Sequence, residues 1–341
     1  MAPEVTTVAD DEVVVFAGPV MRRYDGLVPG TVHDLDGIEV CTLPRPAGEL
    51  LCRFATVNDL HFGEIECGEI EGIELGPILT AAPGETPYPE VMNAAAVEEI
   101  SAIGPAAVIA KGDLTTTGAL TEYRRFLDVY GSAFGERLHH VLGNHDSPLA
   151  RDGTAPQAAA PRLVELPGVR LALLDTVMPG SAGGRLDVTQ LSWLDDTAAD
   201  ADAAGMPVVV LGHHHPWDPG AAQRPPDYFG INPDDSERLV EVVARRPSIV
   251  GYLAGHTHRN RVRRFDAAGG VPWVEVACVK DFPGTWAEYR VFEGGVLQVH
   301  RRLAAPGALA WSERCRALFG GAYPAYAFGT VDDRCLELSR N

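Results

Sequence analysis

Five short polar clusters are the parts of this chain whose residue types could do chemistry, and each follows a short apolar run. Carboxylate, imidazole and amide oxygen donors together suit Mn, Fe, Zn or Co better than Ca or Mg. Cysteine is absent from the clusters, which argues against a structural zinc site. The residue types therefore predict a site for borderline divalent metals. The clusters are Asp59-Leu60-His61, Gly112-Asp113, Gly143-Asn144-His145-Asp146, Gly212-His213-His214-His215-Pro216 and Gly255-His256-Thr257-His258.

The spacing within the clusters indicates how they could hold metal ions. In an extended segment residues i and i+2 point to the same side, so Asp59 and His61 could clasp one cation. His256 and His258 repeat this spacing. A lone carboxylate at Asp113 could bridge two cations with its two oxygens. Each cluster alone is weak evidence, because a Gly-Asp after a strand is more often a turn, but all five in order favour a metal site.

Alternating apolar and helical segments would position these clusters. The alternation predicts a mixed α/β (α+β) fold with its functional groups beyond the carboxyl ends of the strands. Strands buried on both faces are predicted at 51–57, 106–110, 137–142, 207–211 and 248–254. Helices are predicted at 91–103, 119–130, 188–203 and 234–246. Later strands are predicted at 271–278, 287–293 and 296–301, with a hairpin at Gly294-Gly295.

We expect a catalytic domain at 51–302, with one segment before it, one segment after it and one insertion within it. Residues 1–50 read as a small β-rich unit, and GLVPGTVHDLDGIEVCTLPRP within it resembles the last hairpin of a fibronectin-III-like module. Residues 303–341 form a C-terminal extension. Residues 63–90 form an insertion rich in Glu, Gly and Pro. This insertion is either a solvated acidic loop or a lid over the site, since long loops in compact domains are often functional.

Charge and cysteine usage limit the partners and the compartment. The formal net charge is −19 over 341 residues, which disfavours nucleic-acid polymers and anionic membranes as partners. No apolar stretch approaches the ~18–20 residues that span a bilayer, and the N-terminus has no secretory signal pattern. We expect a cytoplasmic protein with reduced thiols, although Cys315 and Cys335 could pair in an oxidising compartment. A homodimer is compatible with the sequence, which leaves the oligomeric state open.

The combined pattern D-x-H … GD … GNH[DE] … H … GH-x-H, over about residues 52–300, resembles the calcineurin-like metallophosphoesterases. The resemblance implies a four-layer αββα sandwich with a dinuclear site for Mn, Fe or Zn at one edge, and a small phosphate ester as substrate. It implies catalytic roles for His145, close to the phosphate and leaving group, and for Asp146, which would orient His145. The implied ligands are Asp59, His61 and His258 for the first metal, Asn144, His214 and His256 for the second, and Asp113 between them.

The triple histidine leaves one ligand open. Family members usually read H-H-P with the first histidine as ligand, and alignment on Pro216 then selects His214. Alignment on Gly212 selects His213 instead. We favour His214 on the sequence alone and keep His213 as the alternative, because the register turns on a single position.

A second stretch suggests a narrower kinship. Residues 171–195, with HHP and GHTH, look like the class III cyclic-nucleotide phosphodiesterases of bacteria. This likeness implies hydrolysis of cyclic nucleotides or other small diesters, with a phosphomonoesterase or nucleotide pyrophosphatase as the alternative. The insertion and the N-terminal unit depart from that group and leave the substrate open. The fibronectin-like segment is similar to purple acid phosphatases, but the metal-binding tyrosine of their GD-x-x-Y motif is missing after Asp113.

Overall fold

The strands form two large sheets and two small ones. The computed structural model describes residues 2–69, 75–151, 153–155 and 159–340. The strands are β1 (Glu4–Val8), β2 (Glu12–Ala17), β3 (Val20–Asp25), β4 (Val32–Leu35), β5 (Ile38–Cys41), β6 (Leu50–Val57), β7 (Ala107–Lys111), β8 (Leu138–Val141), β9 (Arg162–Leu166), β10 (Val169–Leu173), β11 (Val208–Leu211), β12 (Ile249–Ala254), β13 (Arg261–Arg264), β14 (Pro272–Glu275), β15 (Thr285–Phe292), β16 (Gly295–Arg302) and β17 (Leu336–Leu338).

The helices begin and end at residues suited to those positions. Asp187 accepts a hydrogen bond from Gln190 N at the start of α5, and Gly205 ends that helix with φ 64°. No described helix is long and apolar enough to cross a membrane. The helices are α1 (Tyr88–Ala102), α2 (Leu120–Phe126), α3 (Ser132–Phe134), α4 (Ser147–Arg151), α5 (Val188–Ala204), α6 (Pro233–Arg245), α7 (Pro306–Cys315), α8 (Tyr323–Ala327) and α9 (Val331–Arg334).

Two six-stranded sheets stack face to face with helices on both outer sides. One sheet has the order β17-β16-β15-β6-β7-β8, and the other has the order β13-β14-β12-β11-β10-β9. Phe54 and Ile109 of the first sheet pack between the sheets with Leu211 and Leu253 of the second. Helices α1, α2 and α7 pack on the outer face of the first sheet, and α5 and α6 on that of the second. The expected four-layer αββα sandwich is confirmed.

The parallel strands of both sheets direct the polar clusters to one edge of the sandwich. Strands β6, β7 and β8 run parallel, as do β10, β11, β12 and β14. The five clusters follow β6, β7, β8, β11 and β12 directly. Since the carboxyl ends of parallel strands meet at the same edge of a sheet, the fold gathers the clusters from both sheets.

Two predicted elements differ in extent from the structure. The helix predicted at 119–130 keeps α-helical bonding only to Phe126 and continues through a wider π turn over Leu127–Gly131. Tyr130 in that turn is buried, and its hydroxyl donates to Asn93 Oδ1 at 2.9 Å. The strand predicted at 271–278 ends at Glu275. The hairpin between β15 and β16 forms at the predicted glycines.

The N-terminal strands pack against the first large sheet and the end of the chain. Strands β1, β2 and β3 form an antiparallel sheet, and β4 pairs with β5. Thr7 Oγ1 donates to the carbonyl of His300 in β16 at 2.7 Å, and Val8 N donates to Cys335 Sγ at 3.3 Å. The division of the chain at residues 50 and 302 stays a prediction.

Buried ion pairs hold this N-terminal sheet to β15. Arg290 Nη1 lies 2.5 Å from Asp10 Oδ1 and 2.7 Å from Asp11 Oδ1, while its Nε lies 3.2 Å from Glu288 Oε1. The Arg290 side chain is 7% exposed, and those of Asp10 and Glu288 are each 1% exposed. The guanidinium therefore compensates carboxylates that water does not reach.

We expect Arg290→Ala to lower the free energy of unfolding by about 1–3 kcal/mol, because Asp10 and Glu288 lose one of the buried guanidinium groups that they bond to, while other arginines remain beside them. Urea unfolding followed by circular dichroism measures the loss. Arg22→Ala is the matched control, since Arg22 pairs with Asp36 at the surface with both side chains more than 60% exposed; its loss should stay below about 1 kcal/mol. Equal small losses in both variants would contradict a stabilising role for the buried pairs.

Candidate metal centre

Several predicted ligands have a strained backbone. A non-glycine residue with positive φ costs on the order of 1 kcal/mol or more and persists only where its surroundings fix it. Such strain concentrates at functional sites. Outside the predicted ligands, only Asp36 and Phe319 show it among the described non-glycine residues. The strained ligands are Asp59 (φ 54°), His61 (φ 47°), Asp113 (φ 49°), His256 (φ 69°) and His258 (φ 52°).

The first predicted ligand group comes together as the sequence indicated. Asp59, His61 and His258 each offer a ligand atom, and these atoms lie within 4.8 Å of one another. His258 Nε2 lies 3.5 Å from Asp59 Oδ1. Both ring nitrogens of His61 are buried and have no hydrogen-bond partner among the described residues. His61 Nε2 also lies 3.7 Å from Asp113 Oδ2, which joins this group to the next.

The second group assembles around the other side of Asp113. His213 Nε2 lies 3.3 Å from Asp113 Oδ2 and 3.2 Å from Asn144 Oδ1. These separations are similar to those between neighbouring ligands of one metal with bonds of about 2.0–2.2 Å. His213 Nδ1 lies 2.8 Å from the carbonyl oxygen of Lys111, so the neutral ring keeps its proton on Nδ1 and turns Nε2 towards Asp113 and Asn144. His256 stands beside His213, with their ring centroids 5.0 Å apart.

His214, the histidine favoured by alignment on Pro216, lies in the same cluster but against different neighbours. Its Nδ1 is 2.8 Å from the hydroxyl of Thr176, in the loop after β10. Its Nε2 is buried without a hydrogen-bond partner in the described chain, and its ring lies 4.5 Å from that of His256. Ligand atoms of His213, His214 and His256 lie within 4.8 Å of one another, so the fold brings both candidate histidines to this group. The distances to Asp113 and Asn144 favour His213, and the choice between the two stays a prediction.

The chemistry of these side chains fits a pair of divalent cations. His61, His214 and His256 bury ring nitrogens with no partner among the described residues, and an unmet buried polar group costs about 1–3 kcal/mol. Burial holds the pKa of each of these three histidines well below its usual range, so they are neutral and able to bind metal. At His213 burial lowers the pKa, but the nearby Asp113 carboxylate outweighs burial and raises the pKa of His213 to about 9. A positive charge is favoured beside this carboxylate.

His145 and Asp146 lie where predicted, but their contacts differ from the expected pairing. His145 is exposed towards the cavity, and its Nδ1 lies 2.7 Å from the carbonyl oxygen of Thr116. The buried Asp146 carboxylate accepts hydrogen bonds from Leu114 N at 3.0 Å and from Thr115 N and Gly143 N at 2.9 Å. The structure therefore corrects the orienting role given to Asp146. Thr116 holds the His145 ring, and Asp146 ties together the loops after β7 and β8.

Residues around the ligands that the sequence did not single out complete the site. Asp281 Oδ2 lies 3.4 Å from His258 Nδ1, the arrangement in which a carboxylate fixes a metal-binding imidazole. Lys111 ends β7 fully buried, and its Nζ donates to the carbonyl of Ala254 in β12 at 2.5 Å, which links the two sheets beneath the site. Burial lowers the pKa of Lys111 to about 7 against the opposing effect of Asp59. In the sequence, Lys111 could have been singled out only because it stands directly before Gly112-Asp113.

A cavity of about 670 Å³ opens over the centre. Five of the predicted ligands line it together with His145, and so do Gly68 and Leu75 of the insertion and Phe319 of the C-terminal extension; the five are His61, Asp113, Asn144, His256 and His258. Part of the predicted insertion, residues 70–74, lies outside the described residues. Four of its described residues, Glu64, Gly68, Glu69 and Leu75, line the cavity, and the lid stays a prediction.

Comparison with known proteins agrees with this geometry. Glycerophosphodiester phosphodiesterase GpdQ of Enterobacter lignolyticus is 30% identical over 188 residues, which are 52% of this chain and 65% of that protein. The cAMP/cGMP dual specificity phosphodiesterase MT0825 of Mycobacterium tuberculosis is 28% identical over 166 residues, 46% of this chain and 50% of that protein. Each match spans less than two thirds of the relative's own length.

Solved structures with low sequence identity share the fold. A dimetal phosphatase from Danio rerio superimposes with a TM-score of 0.59 at 14% identity, covering 86% of this chain and all of that one. Purple acid phosphatase PPD1 from yellow lupin gives a TM-score of 0.53 at 12% identity, covering 89% of this chain and 73% of that one. The sequence model of the Calcineurin-like phosphoesterase family matches residues 52–260. With that match over most of the sandwich, and with this fold, the chain belongs to the calcineurin-like phosphoesterase family.

Proposed function

We propose that this chain hydrolyses phosphate diesters, such as cyclic nucleotides or other small diesters, at a dinuclear metal centre. The observation that carries the proposal is the pair of ligand groups that meet at Asp113. The relatives named as glycerophosphodiester and cyclic-nucleotide phosphodiesterases support the diester over the monoester.

The proposed ligands divide between two cations of the Mn, Fe or Zn type. When bound, the cations lower the pKa of water towards neutrality and offset the negative charge of a phosphate. The carboxylate of Asp113 has one oxygen near His61 and His213, and its other oxygen accepts from His145 N at 3.0 Å. The proposed ligands are Asp59, His61 and His258 on one side, Asn144, His213 and His256 on the other, and Asp113 between them.

His145 is the proposed proton donor to the departing alcohol. The carbonyl of Thr116 accepts from Nδ1, so Nε2 is the nitrogen left to face the cavity. In the imidazolium form Nε2 donates a proton to the leaving alcohol as the phosphorus–oxygen bond breaks. The oxygen of water bonds to phosphorus and its proton passes to solvent, from which the neutral His145 regains a proton for the next turnover. The products are a phosphomonoester and an alcohol.

The first test compares turnover of bis-p-nitrophenyl phosphate with that of p-nitrophenyl phosphate. Metal-free protein is reconstituted with manganese and, separately, with zinc or iron. We expect metal-dependent release of p-nitrophenolate with a higher kcat/KM for the diester. A higher kcat/KM for the monoester would instead support the phosphatase alternative, and no turnover with two metals bound would contradict the proposal.

The register of the triple histidine is tested by metal content. We expect His213→Ala to reduce bound metal from two per chain towards one, because it removes the nitrogen beside Asp113 and Asn144. His214→Ala should keep two metals, because His213 and not His214 lies beside Asp113 and Asn144. Mass spectrometry of metals after gel filtration measures both, with thermal unfolding as the check on folding. The reverse pattern would restore the register set by Pro216.

Replacing His145 separates proton donation from metal binding. We expect His145→Ala to keep both metals and to lower kcat by roughly 10²–10⁴-fold, the usual range for a general acid. His33→Ala is the matched control, because His33 lies in the distant β4 strand and bonds to the carbonyl of Val28. Its kcat should equal that of the unmodified protein. An unchanged kcat in a fully metallated His145→Ala protein would remove His145 from the mechanism.

We also propose a cytoplasmic location, which the cysteines support. All six are free thiols, as expected where the cell keeps cysteines reduced. The acidic charge supports small substrates over nucleic-acid polymers. The homodimer stays a prediction that needs a solution measurement of mass.

A further inference from the structure

The cavity above the centre has an apolar side formed largely by large side chains. Phe319, Tyr326, Phe229 and Leu75 line it. Phe229 is 54% exposed, Leu75 is 54% exposed and Tyr326 is 45% exposed. Large apolar side chains left in water beside a polar centre are typical of a surface that binds a ligand.

Phe319 holds its ring there at a conformational cost. Its φ is 52° and its ψ is 43°, and Gly320 and Gly321 follow with φ 66° and 85°. A bulky residue is a genuine outlier in this left-handed region, and glycine would adopt it without strain. A phenylalanine ring is therefore present at a position whose backbone favours a residue with no side chain. Such an outlier beside a cavity points to a function for the ring.

The insertion braces the turn that carries Phe319. A Cβ added at Gly76 would come 2.4 Å from Gly320 N, and one added at Gly68 would come 2.4 Å from Leu318 Cδ2. Both glycines have positive φ, so the close approach and the backbone require the same residue type. The Phe319 ring also packs edge-on against Tyr323, with centroids 5.2 Å apart. The turn is thus held in place before any ligand binds.

Hydrogen bonds connect the apolar side of the cavity to the metal centre. The Tyr323 hydroxyl donates to Asp281 Oδ1 at 2.8 Å, and the other oxygen of Asp281 lies 3.4 Å from His258 Nδ1. The Tyr326 hydroxyl donates at 2.9 Å to the carbonyl of Thr257, between His256 and His258. A phosphorus group at the centre and a ring against Phe319 would therefore occupy one continuous cavity.

The charges around the cavity limit what the apolar side can accept. Lys280 is the cation among the described lining residues, and its Nζ lies 2.5 and 2.6 Å from the two carboxylate oxygens of Glu64. Glu69 adds a negative charge to the rim. A second phosphate on the substrate would meet no free cation there, whereas a neutral ring would meet Phe319 and Tyr326.

We propose that the C-terminal extension supplies, through Phe319, a subsite for a flat aromatic or heteroaromatic ring carried by one alcohol of the phosphodiester. This rests on the proposed function for the position of the phosphorus group. The subsite favours ring-bearing diesters over glycerol-type diesters and over substrates with additional phosphates.

The experiment measures binding of two phosphonates that differ only in the ring. Phenylphosphonate and methylphosphonate carry the same charged group on a phosphorus–carbon bond that hydrolysis does not break. Isothermal titration calorimetry is carried out on the metal-loaded full chain. We expect phenylphosphonate to bind roughly tenfold more tightly, a typical gain for one well-placed aromatic contact. Phe319→Gly should reduce this ratio to about 2 or less and leave methylphosphonate affinity unchanged.

The choice of variants keeps the result interpretable. Phe319→Gly removes the ring with a residue that prefers the observed backbone, so the turn should not lose stability. Phe319→Tyr retains a flat ring and should retain the ratio. Val188→Ala removes an exposed apolar side chain from α5, away from the cavity, and should change neither affinity. Thermal unfolding of each variant checks the fold.

Three outcomes would overturn the proposal. They are an unchanged ratio in Phe319→Gly, an equal fall in both affinities, and no binding of either phosphonate by metal-loaded protein. The equal fall would mean that the turn supports the centre instead of binding the ring. The phosphonates are not substrates, so failure of diester hydrolysis would refute the proposed function without altering the ratio. Diester turnover with an unchanged ratio would refute only the subsite.

Discussion

The Asp113 carboxylate is the buried charge around which the rest of the site is arranged. It is 2% exposed and lies within 4 Å of nitrogen atoms of His61 and His213, which come from different sheets. An isolated carboxylate is expensive to bury unless positive charge and hydrogen bonds compensate it. The fold meets this demand by bringing the carboxyl ends of two sets of parallel strands to one edge. Each strand then contributes one short loop, and the loops can approach closely enough to share a single carboxylate.

Close approach of those loops explains why glycine stands at particular positions. A Cβ on Gly143 would lie 2.2 Å from Asp113 Oδ1, and one on Gly112 would lie 2.4 Å from His213 Nδ1. Asp146 adds a second constraint, because its carboxylate accepts amide hydrogens from both of the loops that these glycines belong to. The strain at the ligands is thus balanced by hydrogen bonds and packing just behind them. The centre is rigid because neighbouring loops fix each other.

The sequence predicted the parts of this arrangement that depend on local pattern. Apolar runs, helix starts and Gly-rich turns located the strands and helices, and the order of polar clusters located the site. The register of the triple histidine could not follow from pattern, since Gly212 and Pro216 give different answers, and the distances to Asp113 and Asn144 that favour His213 depend on the fold. The role of Asp146 was also inaccessible, because its partners Leu114 and Thr115 are about 30 residues away and are backbone groups.

The contact between the insertion and the C-terminal extension was the least predictable feature, and it shapes the side of the cavity that bears on substrate choice. Gly76 and Gly320 are far apart in the chain, and neither belongs to a motif, so no spacing rule could pair them. Their contact matters because the chain is strongly acidic and its described cavity lining has no cation free of a carboxylate. For the proposed diester, attraction for the phosphate would come from the metal centre, and selection among esters from the shape and polarity of the cavity sides. The proposed ring subsite of Phe319 and Tyr326 would select by ring burial, which the negative charge of the protein does not oppose.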